Sequence, residues 1–307
     1  MNATQEKATT EGSLKQVIAH AKEYGFVFPS SEIYDGLSAV YDYGPFGVEL
    51  KNNLKALWWK TMTQLNDNIV GIDASIFMHP TTWKASGHVD GFSDPMIDNK
   101  DSKKRYRADV LIEEHAAKLS PEAGLALEKE LARLLEADDL SGVLALIVRE
   151  NIKCPVSGTA NWTDVRQFNL MFSTQVGSVA DDSSTIYLRP ETAQGIFVNF
   201  LNVQKSARMK VPFGIAQIGK AFRNEIVARQ FIFRMREFEQ MEMQFFVRPG
   251  EEMTWYQHWK ATRLNWHKAL GIPENKLRFH DHEKLAHYAN AAVDIEFEFP
   301  FGFKEIE

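Results

Sequence analysis

Two strand-like segments joined by a loop, within residues 216–247, constrain the fold more than any other part of the chain. Successive side chains of a strand point to opposite faces, so each segment has two faces. In the first segment, Gln217, Gly219, Ala221 and Arg223 point to one face, and Ala216, Ile218, Lys220 and Phe222 point to the other. In the second segment, an equally polar face consists of Phe238, Gln240, Glu242, Gln244 and Phe246, and the opposite face consists of Glu237, Glu239, Met241, Met243 and Phe245. The pattern predicts a hairpin with an unusually polar face.

The hairpin has two interpretations. Its loop, roughly Asn224 to Met235, is rich in Arg and Phe. A surface hairpin would leave the charges in water. The large flanking aromatic residues favour a mostly buried hairpin, where each charge needs a partner. In that case the hairpin forms the floor of a site for a polar ligand.

The composition of the 307 residues is that of a globular protein, with 44% apolar and 25% charged residues. The sequence contains no apolar run of membrane-spanning length, and residues 1–12 lack the hydrophobic core of a secretion signal. The single cysteine excludes an internal disulfide and fits a reducing compartment. We therefore expect a cytoplasmic protein without a membrane partner.

The charges are unevenly distributed. The net charge is −6, yet residues 204–236 contain eight basic residues and one acidic residue. A local basic stripe on an acidic protein suits a phosphate-bearing ligand bound at one place, and a solvated basic face is the alternative.

The sequence predicts several helices and strands along the chain. A helix is predicted over residues 13–24, and another from Val48, after the turn Gly44–Gly47. The apolar stripe of the second helix consists of Leu50, Leu54, Leu57 and Trp58. A strand is expected over 69–78, ending before Pro80. Because the strands cluster in hairpins, we predict the α+β class: an antiparallel sheet flanked by helices.

Residues 121–149 differ in composition from the aromatic-rich sequence around them. Their Ala, Leu and Glu content predicts one helix, a break at 138–142 and a second helical segment. We interpret this part as a helical insertion, with approximate bounds of 108–160. Downstream, strand, helix, hairpin and helix patterns lead to a strand-like stretch at 291–303.

The motifs of several common kinds of site are missing from the sequence. The chain has no Walker phosphate loop, no dinucleotide fingerprint and no His-Glu-x-x-His motif. The segment 280–282, His-Asp-His, has no third ligand nearby, and Cys154 has no catalytic partners around it.

Two short segments have the spacing of zinc knuckles. They are Asn99 to Ser102 and Cys154 to Ser157, on either side of the insertion. Zinc requires four good donors, mostly thiolate or imidazole, and only one of these four positions is a cysteine. We predict no structural zinc and no other protein-bound metal.

The segment 188–195, Leu-Arg-Pro-Glu-Thr-Ala-Gln-Gly, completes the candidate site. It places Pro190 and Glu191 at a helix start, where a capping role is the simpler interpretation for the glutamate. The residues suited to a polyphosphate and an amine-bearing base are Arg223, Glu225, Arg234 and Arg236. The carboxylates suited to a small cation are Glu191, Glu239 and Glu242.

At these residues the chain resembles a known family. The run FRNE followed by FRMREFEQME looks like motif 2 of the class II aminoacyl-tRNA synthetases. The blocks YDYGPFGVELKNNL, WKASGHVDGFSDPM, RQFNLMF and RPETAQGIF are similar to the dimeric glycyl-tRNA synthetases in particular. The blocks occur in the family's order and span about 24–307.

The resemblance implies two reactions, in which glycine and ATP give glycyl-adenylate and the glycyl group then passes to tRNA(Gly). It implies catalytic roles for Arg223, on the α-phosphate, and Glu225, on the adenine amino group. It implies ATP contacts by Arg223, Asn224, Glu225, Phe233, Arg234, Met235, Arg236, Glu237, Phe238, Glu305 and Ile306. It implies a glycine pocket lined by Arg107, Glu191, Phe238, Glu239, Gln240, Met241 and Glu242. Magnesium is expected to arrive on the ATP phosphates.

The resemblance also implies partners and a domain layout. The helix from Val48 and the strand after it resemble motif 1, so a homodimer is expected, although the stripe of that helix also suits an intramolecular core. The insertion corresponds to a family-variable region beside the acceptor stem of tRNA. The chain ends at Glu307, before the family's motif 3 and anticodon-binding domain, so we expect residues 1–307 to be an incomplete catalytic domain with impaired activity. A non-catalytic binding protein on this scaffold and a synthetase for another amino acid are the competing hypotheses.

Overall fold

The predicted hairpin is the central element of the fold. The computed structural model describes residues 14–177, 184–226, 231–282, 285–286 and 288–307. Strand β9 (Phe213–Phe222) pairs antiparallel with β10 (Glu237–Phe246), in a register that places Gln217 opposite Glu242. A short strand, β3 (Ile69–Gly71), adds to β9 in parallel, giving the order β10-β9-β3. The two faces predicted from the alternation are therefore confirmed.

Helices cover both faces of this sheet. On one face lie α2 (Pro45–Thr63) and α9 (Glu252–Ala269), which bury Trp58, Met62 and Trp266 against the sheet. On the other face α8 (Ala193–Ser206) buries Ile196 and Val203 against the apolar ends of the strands. The polar end of that second face, around Gln217 and Glu242, is left for the site.

Helix α2 begins earlier than its stripe predicts. Gly44 is the N-cap and Pro45 takes the first helical position, where its missing N–H is not needed. A Cβ on Gly47 would lie 1.8 Å from the Phe26 carbonyl oxygen, so only glycine fits this close approach. The predicted stripe is divided, because Trp58 is buried whereas Leu50 remains half exposed.

The strand expected over 69–78 is shorter than predicted. Only Ile69–Gly71 pair with β9, and Ile72 adds one further backbone hydrogen bond to Ala216. The following residues run as an irregular segment beneath the site, where the carbonyls of Ala74 and Ser75 accept hydrogen bonds from Arg189. These carbonyls bind a side chain instead of a neighbouring strand.

A second three-stranded sheet follows α9 in the sequence. It has the order β11-β12-β13, formed by β11 (Leu277–Asp281), β12 (Val293–Phe299) and β13 (Gly302–Glu305). The strand character expected at 291–303 is thereby confirmed. Backbone pairing between Ile306 and Ile295 extends the last strand beyond Glu305.

The helices of the insertion share a core with a separate sheet, whose three strands flank the insertion in the sequence. The sheet order is β5-β4-β6, from β4 (Ser93–Asn99), β5 (Lys104–Arg107) and β6 (Arg166–Asn169). Helices α5 (Ala108–Ala116), α6 (Pro121–Glu136) and α7 (Leu140–Arg149) pack together, with Ile112, Leu131 and Ile147 buried. The two predicted helices of 121–149 are confirmed, and the Asp139 side chain caps α7 by accepting from Gly142 N at 2.8 Å.

The remaining elements are short. Residues 14–23 form α1, followed by the pair β1 (Val27–Pro29) and β2 (Tyr41–Tyr43). Between α2 and the insertion lie α3 (Pro80–Ala85) and α4 (His88–Gly91), and β7 (Ser173–Gln175) pairs with β8 (Thr185–Tyr187). Single turns of 3-10 helix occur at Glu32–Tyr34, Phe231–Phe233 and Glu274–Lys276. In the described part of the chain, no helix combines the length and apolarity needed to cross a membrane.

The two segments with knuckle spacing meet at the base of the insertion. We name Asn99, Ser102, Cys154 and Ser157 the clasp. Asn99 Oδ1 accepts hydrogen bonds from Ser102 N at 2.9 Å and from Ser157 Oγ at 2.9 Å. Cys154 Sγ lies 3.3 Å from Ser102 Oγ and 3.2 Å from the Tyr106 hydroxyl. Hydrogen bonds thus join the two segments, and the absence of zinc stays a prediction.

Candidate active site

The guanidinium of Arg223 lies at the centre of the candidate site. Arg223 follows β9, and its backbone N–H donates to Arg236 O at 3.0 Å, which extends the hairpin by one step. Its Nε donates to Pro190 O at 3.1 Å, and its guanidinium carbon lies 5.3 Å from the ring centre of Phe238. Because Nε and the ring hold the group from two sides, the outer nitrogens are oriented and remain available to a ligand.

Glu191 lies directly before the N-cap of α8. Thr192 is the N-cap and Ala193 the first helical residue, so Glu191 does not cap the helix. Its Oε1 lies 3.4 Å from Nε2 of His88. Burial alone would raise the pKa of Glu191, but His88, Gln194 and the charge of Arg223 together lower it below the usual value. Glu191 is therefore ionised at neutral pH.

Glu242 faces the same space from β10. It accepts a short hydrogen bond from Thr192 Oγ1 and a second one from Gln244 Nε2 at 2.7 Å. Burial raises its pKa above the usual value, the charge of Glu191 adds to the increase, and the hydrogen bonds offset only part of it. The neighbouring Gln240 accepts from Thr192 N at 3.1 Å, which ties the strand to the start of α8.

These two carboxylates have opposite pKa shifts because burial dominates at Glu242, whereas His88 and Gln194 outweigh burial at Glu191. Both interact electrostatically with Arg223, and so does Glu305 on β13. Burial, and next the charge of Asp294, raise the pKa of Glu305. Three carboxylates thus surround one arginine, an arrangement in which an added cation would be stabilised and an added anion would contact the arginine.

A buried arginine that the motif analysis did not assign supports the site from below. Arg189 is 2% exposed and donates from Nε to Lys220 O at 2.6 Å and from Nη1 to Ala74 O at 2.7 Å. A Cβ on Gly219 would lie 2.2 Å from Arg189 Nη2, so the glycine makes room for it. Gln217 is fully buried beside it, and neither end of its amide has a hydrogen-bond partner among the described residues.

A second part of the site is formed by the hairpin loop and the insertion. A cavity of about 290 Å³ is lined by residues that include Asp94, Arg107, Glu225 and Arg234. Arg234 Nη1 lies 3.8 Å from Glu225 Oε2, and Arg107 forms ion pairs with Asp94 at 3.2 Å and Asp109 at 2.6 Å. Arg107 therefore lies beside Glu225 and not beside Glu191. It faces the hairpin loop across this cavity.

Arg236 and Asn224 hold the ends of the loop. Arg236 Nε donates to Glu225 O at 3.0 Å and Nη1 donates to Ser38 O at 3.1 Å, while Asn224 N donates to Leu170 O at 2.8 Å. The contacts fix the backbone around Glu225 rather than presenting the Arg236 guanidinium to solvent. Residue Arg229 of the basic stripe lies outside the described residues.

Phe233 lies at the side of the site. Its ring packs edge-on against Phe299 at 4.7 Å and Phe301 at 5.1 Å, next to an apolar cavity of about 640 Å³. Met235 is partly buried in the segment that follows. Ile306 contributes its backbone to the extension of the second sheet, beside Glu305.

Besides Arg107, three of the predicted residues lie outside the space between Glu191, Glu242 and Arg223. Glu239 faces α2, where Lys51 and Lys55 bind its two oxygens at 2.7 and 2.8 Å. Glu237 forms an ion pair with Lys220, and Met241 pairs with Ile218 on that same face. The expected cation site made of Glu191, Glu239 and Glu242 is therefore wrong, since strand alternation separates Glu239 from the other two.

The sequence reasoning also missed His88 and Ser86. Ser86 Oγ lies 2.8 Å from Nδ1 of His88, whose other nitrogen faces Glu191. Ser86 is the C-cap of α3 and His88 begins α4, and both helices are too short to give a periodic pattern that would have indicated these residues. The only signal was their position within the block WKASGHVDGFSDPM. In the described part of the chain, no group of three or more His, Cys, Asp or Glu side chains is arranged to hold a metal ion.

Two family models match this chain. Residues 173–305 match the tRNA synthetase class II core domain (G, H, P, S and T), a range that contains the hairpin, α8 and the second sheet. Residues 94–129 and 121–170 match glycyl-tRNA synthetase insertion domain 1, in the region of the second core. The fold is therefore that of a class II aminoacyl-tRNA synthetase core, and the predicted α+β class is confirmed.

Curated relatives identify the family within this class. The glycine–tRNA ligase of Chlorobaculum tepidum is 56% identical over 303 residues, covering 96% of this chain and 64% of the relative. That of Staphylococcus haemolyticus is 56% identical over 295 residues, with 95% and 62% covered. The chain belongs to the glycyl-tRNA synthetase family. It spans less than two thirds of the length of these relatives.

One solved structure has a lower similarity. The RNA binding domain of threonyl-tRNA synthetase from Cryptosporidium parvum Iowa II has a TM-score of 0.49 and 15% sequence identity. The comparison covers 86% of this chain and 43% of that chain. The assignment of class and family rests on the core-domain match and the curated relatives.

Proposed function

We propose that this protein activates glycine with ATP and transfers it to the 3′ end of tRNA(Gly). The observation that carries the proposal is that Arg223 donates to Pro190 O and Glu242 accepts from Thr192 Oγ1, so that both side chains lie against the segment that carries Glu191. Arginine offers a planar pair of donors suited to phosphate oxygens, and two carboxylates suit an ammonium group. An amino acid and a nucleotide phosphate would meet there.

In the proposed first step, a carboxylate oxygen of glycine attacks the α-phosphorus of ATP. The new P–O bond forms as the bond to the bridging oxygen breaks, and pyrophosphate leaves with the electron pair and its magnesium ion. Arg223 would donate to the non-bridging oxygens as negative charge builds on them, an effect that is strongest in a site closed to water. The enzyme forms no covalent bond, so its contribution is positioning and charge stabilisation.

In the proposed second step, the terminal ribose hydroxyl of tRNA attacks the acyl carbon of the adenylate. The ester bond forms as the acyl–phosphate bond breaks, and the hydroxyl proton passes to the phosphate of the departing AMP. The ammonium of glycine would remain between Glu191 and Glu242 in both steps. Its charge would lower the raised pKa of Glu242, and the ionisation of that carboxyl would contribute to glycine affinity.

The adenine end of ATP would occupy the cavity beside the loop. Glu225 lies there between Arg234 and the insertion, and Arg236 holds its backbone carbonyl. We propose that Glu225 accepts from the adenine amino group, that Phe238 lies under the base or the phosphate, and that Glu305 and Ile306 close the other side. Asn224, Phe233 and Met235 would complete the nucleotide contacts as part of the loop.

Selection of glycine would depend on the lack of space. Thr192, Gln240 and Glu242 are joined by hydrogen bonds around the proposed ammonium site. A methyl group on the substrate would have to displace one of these groups, and such a steric refusal needs no separate editing site. By contrast, a hydrophobic pocket gains only about 1–3 kcal/mol from recognising one extra methylene.

The proposal includes a homodimer acting in the cytoplasm. Helix α2 exposes Phe46, Leu50 and Leu57, which are 62%, 53% and 42% accessible. Exposed apolar side chains along one helix mark an interaction surface. The insertion at about 108–160 would lie beside the acceptor stem of tRNA.

Glycine-dependent exchange of pyrophosphate into ATP tests the activity of the complete protein. Glycine is expected to support exchange, while alanine and serine support it at least about tenfold less well. Exchange with another amino acid in place of glycine would identify a different synthetase. The absence of exchange with any amino acid, together with tRNA binding, would identify a non-catalytic binding protein.

A further inference from the structure

The residue that faces Glu191 on its open side is His88, which comes from a different part of the chain. His88 opens α4, and the residue before it, Gly87, has a φ of +79°, a conformation that glycine adopts without strain. This turn reverses the chain between α3 and α4 and brings Ser86 and His88 to the same side. The histidine side chain is 13% exposed and that of Glu191 is 29% exposed.

Three contacts fix the imidazole ring of His88. Trp83, which is fully buried, packs edge-on against it at 5.5 Å between ring centres, and Phe92 packs on it at 5.5 Å. Ser86 Oγ lies 2.8 Å from Nδ1. These contacts favour the orientation in which Nδ1 faces Ser86 and Nε2 lies 3.4 Å from Glu191 Oε1.

The hydrogen bonds determine which nitrogen carries the proton. If Ser86 donates to Nδ1, the neutral imidazole has its hydrogen on Nε2, directed at the carboxylate. If Ser86 instead donates to Trp83 O, which is 3.2 Å away, its oxygen accepts from an Nδ1–H, and Nε2 then carries a hydrogen only in the imidazolium form. A lone pair on Nε2 would face the negative oxygen of Glu191. Both favourable arrangements therefore place an N–H on Nε2.

We propose that His88 is a positioning residue that orients Glu191 for the ammonium group of the amino acid. The inference rests on the proposed function of the site. His88 would bind Oε1 of Glu191 from behind, so that Oε2 faces the space shared with Glu242 and Arg223. Ser86 would set the tautomer of His88 through Nδ1, in the way that a hydrogen bond to the second ring nitrogen sets the tautomer of a metal-binding histidine.

The groups around Glu191 show why one carboxylate needs such support. Glu242 repels Glu191, whereas Arg223 attracts it towards the phosphate side of the site. Gln194 also forms a side-chain hydrogen bond with Glu191, so His88 and Gln194 together oppose the attraction of the carboxylate towards Arg223. We expect the loss of the His88 contact to weaken this opposition and to leave the carboxylate less well oriented for the ammonium group.

Three variants of the complete protein test the proposal. His88→Phe keeps the aromatic packing on Trp83 and Phe92 but removes the donor, whereas His88→Gln places an amide N–H close to the position of Nε2. His258→Phe, on the exposed face of α9, is the matched control. Each is assayed by glycine-dependent pyrophosphate exchange, with the Michaelis constants for glycine and ATP measured separately and the melting temperature recorded.

The expected result separates the two substrates. His88→Phe is expected to raise the KM for glycine at least about tenfold, as for loss of a hydrogen bond to a charged group, with the KM for ATP changed less than about twofold. His88→Gln should restore the KM for glycine to within about threefold, and the control should match the wild type. All variants should keep the wild-type melting temperature within a few degrees.

Three results would overturn the proposal while leaving the proposed function intact. The first is an unchanged KM for glycine in His88→Phe, the second is an equal rise in KM for both substrates, and the third is the absence of rescue in His88→Gln. A wild-type protein that shows no glycine-dependent exchange would overturn the proposed function and, with it, the role of His88.

Discussion

At the scale of single residues, Glu242 stands out because its environment disfavours the charge that the proposed reaction needs. Its pKa is raised by burial and, in addition, by Glu191. A carboxyl whose pKa is higher in the folded than in the unfolded state lowers stability as the pH rises through that range. The empty site therefore lowers the stability of the fold, and the incoming ammonium reverses this effect.

The substitution Glu242→Gln tests this account. The amide can accept from Gln244 and donate to Thr192 Oγ1, so both hydrogen bonds of the carboxylate are retained. At pH 7 we expect a higher melting temperature than that of the wild type, by about 2–4 °C for each kcal/mol gained. Glycine-dependent exchange should fall by about 100-fold or more, because one charge that binds the ammonium is lost.

The pH dependence provides the control for this prediction. At pH 4 the raised pKa leaves the wild-type carboxyl protonated, so the two melting temperatures should coincide. The difference between the two melting temperatures should increase as the pH rises to 7, because only the wild-type side chain at position 242 then ionises. A variant that is less stable at pH 7, or a difference that is the same at both pH values, would contradict the assignment.

At the scale of elements, the clasp connects the two segments from which the insertion leaves the core. Asn99 is fully buried and accepts three hydrogen bonds, from Asp101 N, Ser102 N and Ser157 Oγ. Asn99→Ala leaves these donors unpaired, and we expect a loss of about 1–3 kcal/mol in the free energy of unfolding. Urea denaturation measures the loss, and Asn202→Ala, at an exposed position of α8, is the control with an expected change below about 0.5 kcal/mol.

The same element tests the prediction that no structural zinc is bound. Cys154 Sγ has hydrogen-bond contacts with Ser102 Oγ and the Tyr106 hydroxyl, so the fold should not depend on a metal. Dialysis against a strong chelator is expected to leave the denaturation midpoint unchanged. A fall in the midpoint that added zinc reverses would show that these oxygen and sulfur atoms bind metal after all.

The elements also show how far sequence patterns reach. Alternation along 216–247 predicted both faces of the hairpin, because side-chain direction in a strand is a local property. The same alternation separates Glu239 from Glu242, so grouping them in one cation site ignored the geometry of the strand. His88 was not predicted because its contact with Glu191 depends on a turn at Gly87 and on tertiary packing, neither of which has a periodic signal.

The second core shows a similar limit. Helices α6 and α7 followed from the leucine pattern of 121–149, whereas α5 was not predicted, and the sequence did not indicate that Arg107 lies beside Glu225 instead of Glu191. That position depends on how the insertion packs against the loop. Local sequence patterns predicted most helices and the hairpin. Which charged groups meet depends on contacts between residues far apart in the sequence, which those patterns do not show.

At the scale of the whole molecule, the exposed apolar side chains of α2 predict the proposed dimer. We expect Leu50→Asp combined with Leu57→Asp to halve the mass measured by sedimentation equilibrium, because buried charges would have no partner. Leu125→Asp on α6, at a position that is 53% exposed, is the matched control and should leave the mass unchanged. A doubly substituted protein of wild-type mass would show that another surface joins the subunits.

The register of the central hairpin has a consequence for how the protein reaches its working form. A slip of one residue would turn Glu242 towards Trp58 and Trp266, and would turn Met241 and Met243 towards the ligand space. Misaligned chains would then lose their core and their substrate pocket in the same event. The same alignment of the two strands therefore determines both the packing of the core and the formation of the ligand site.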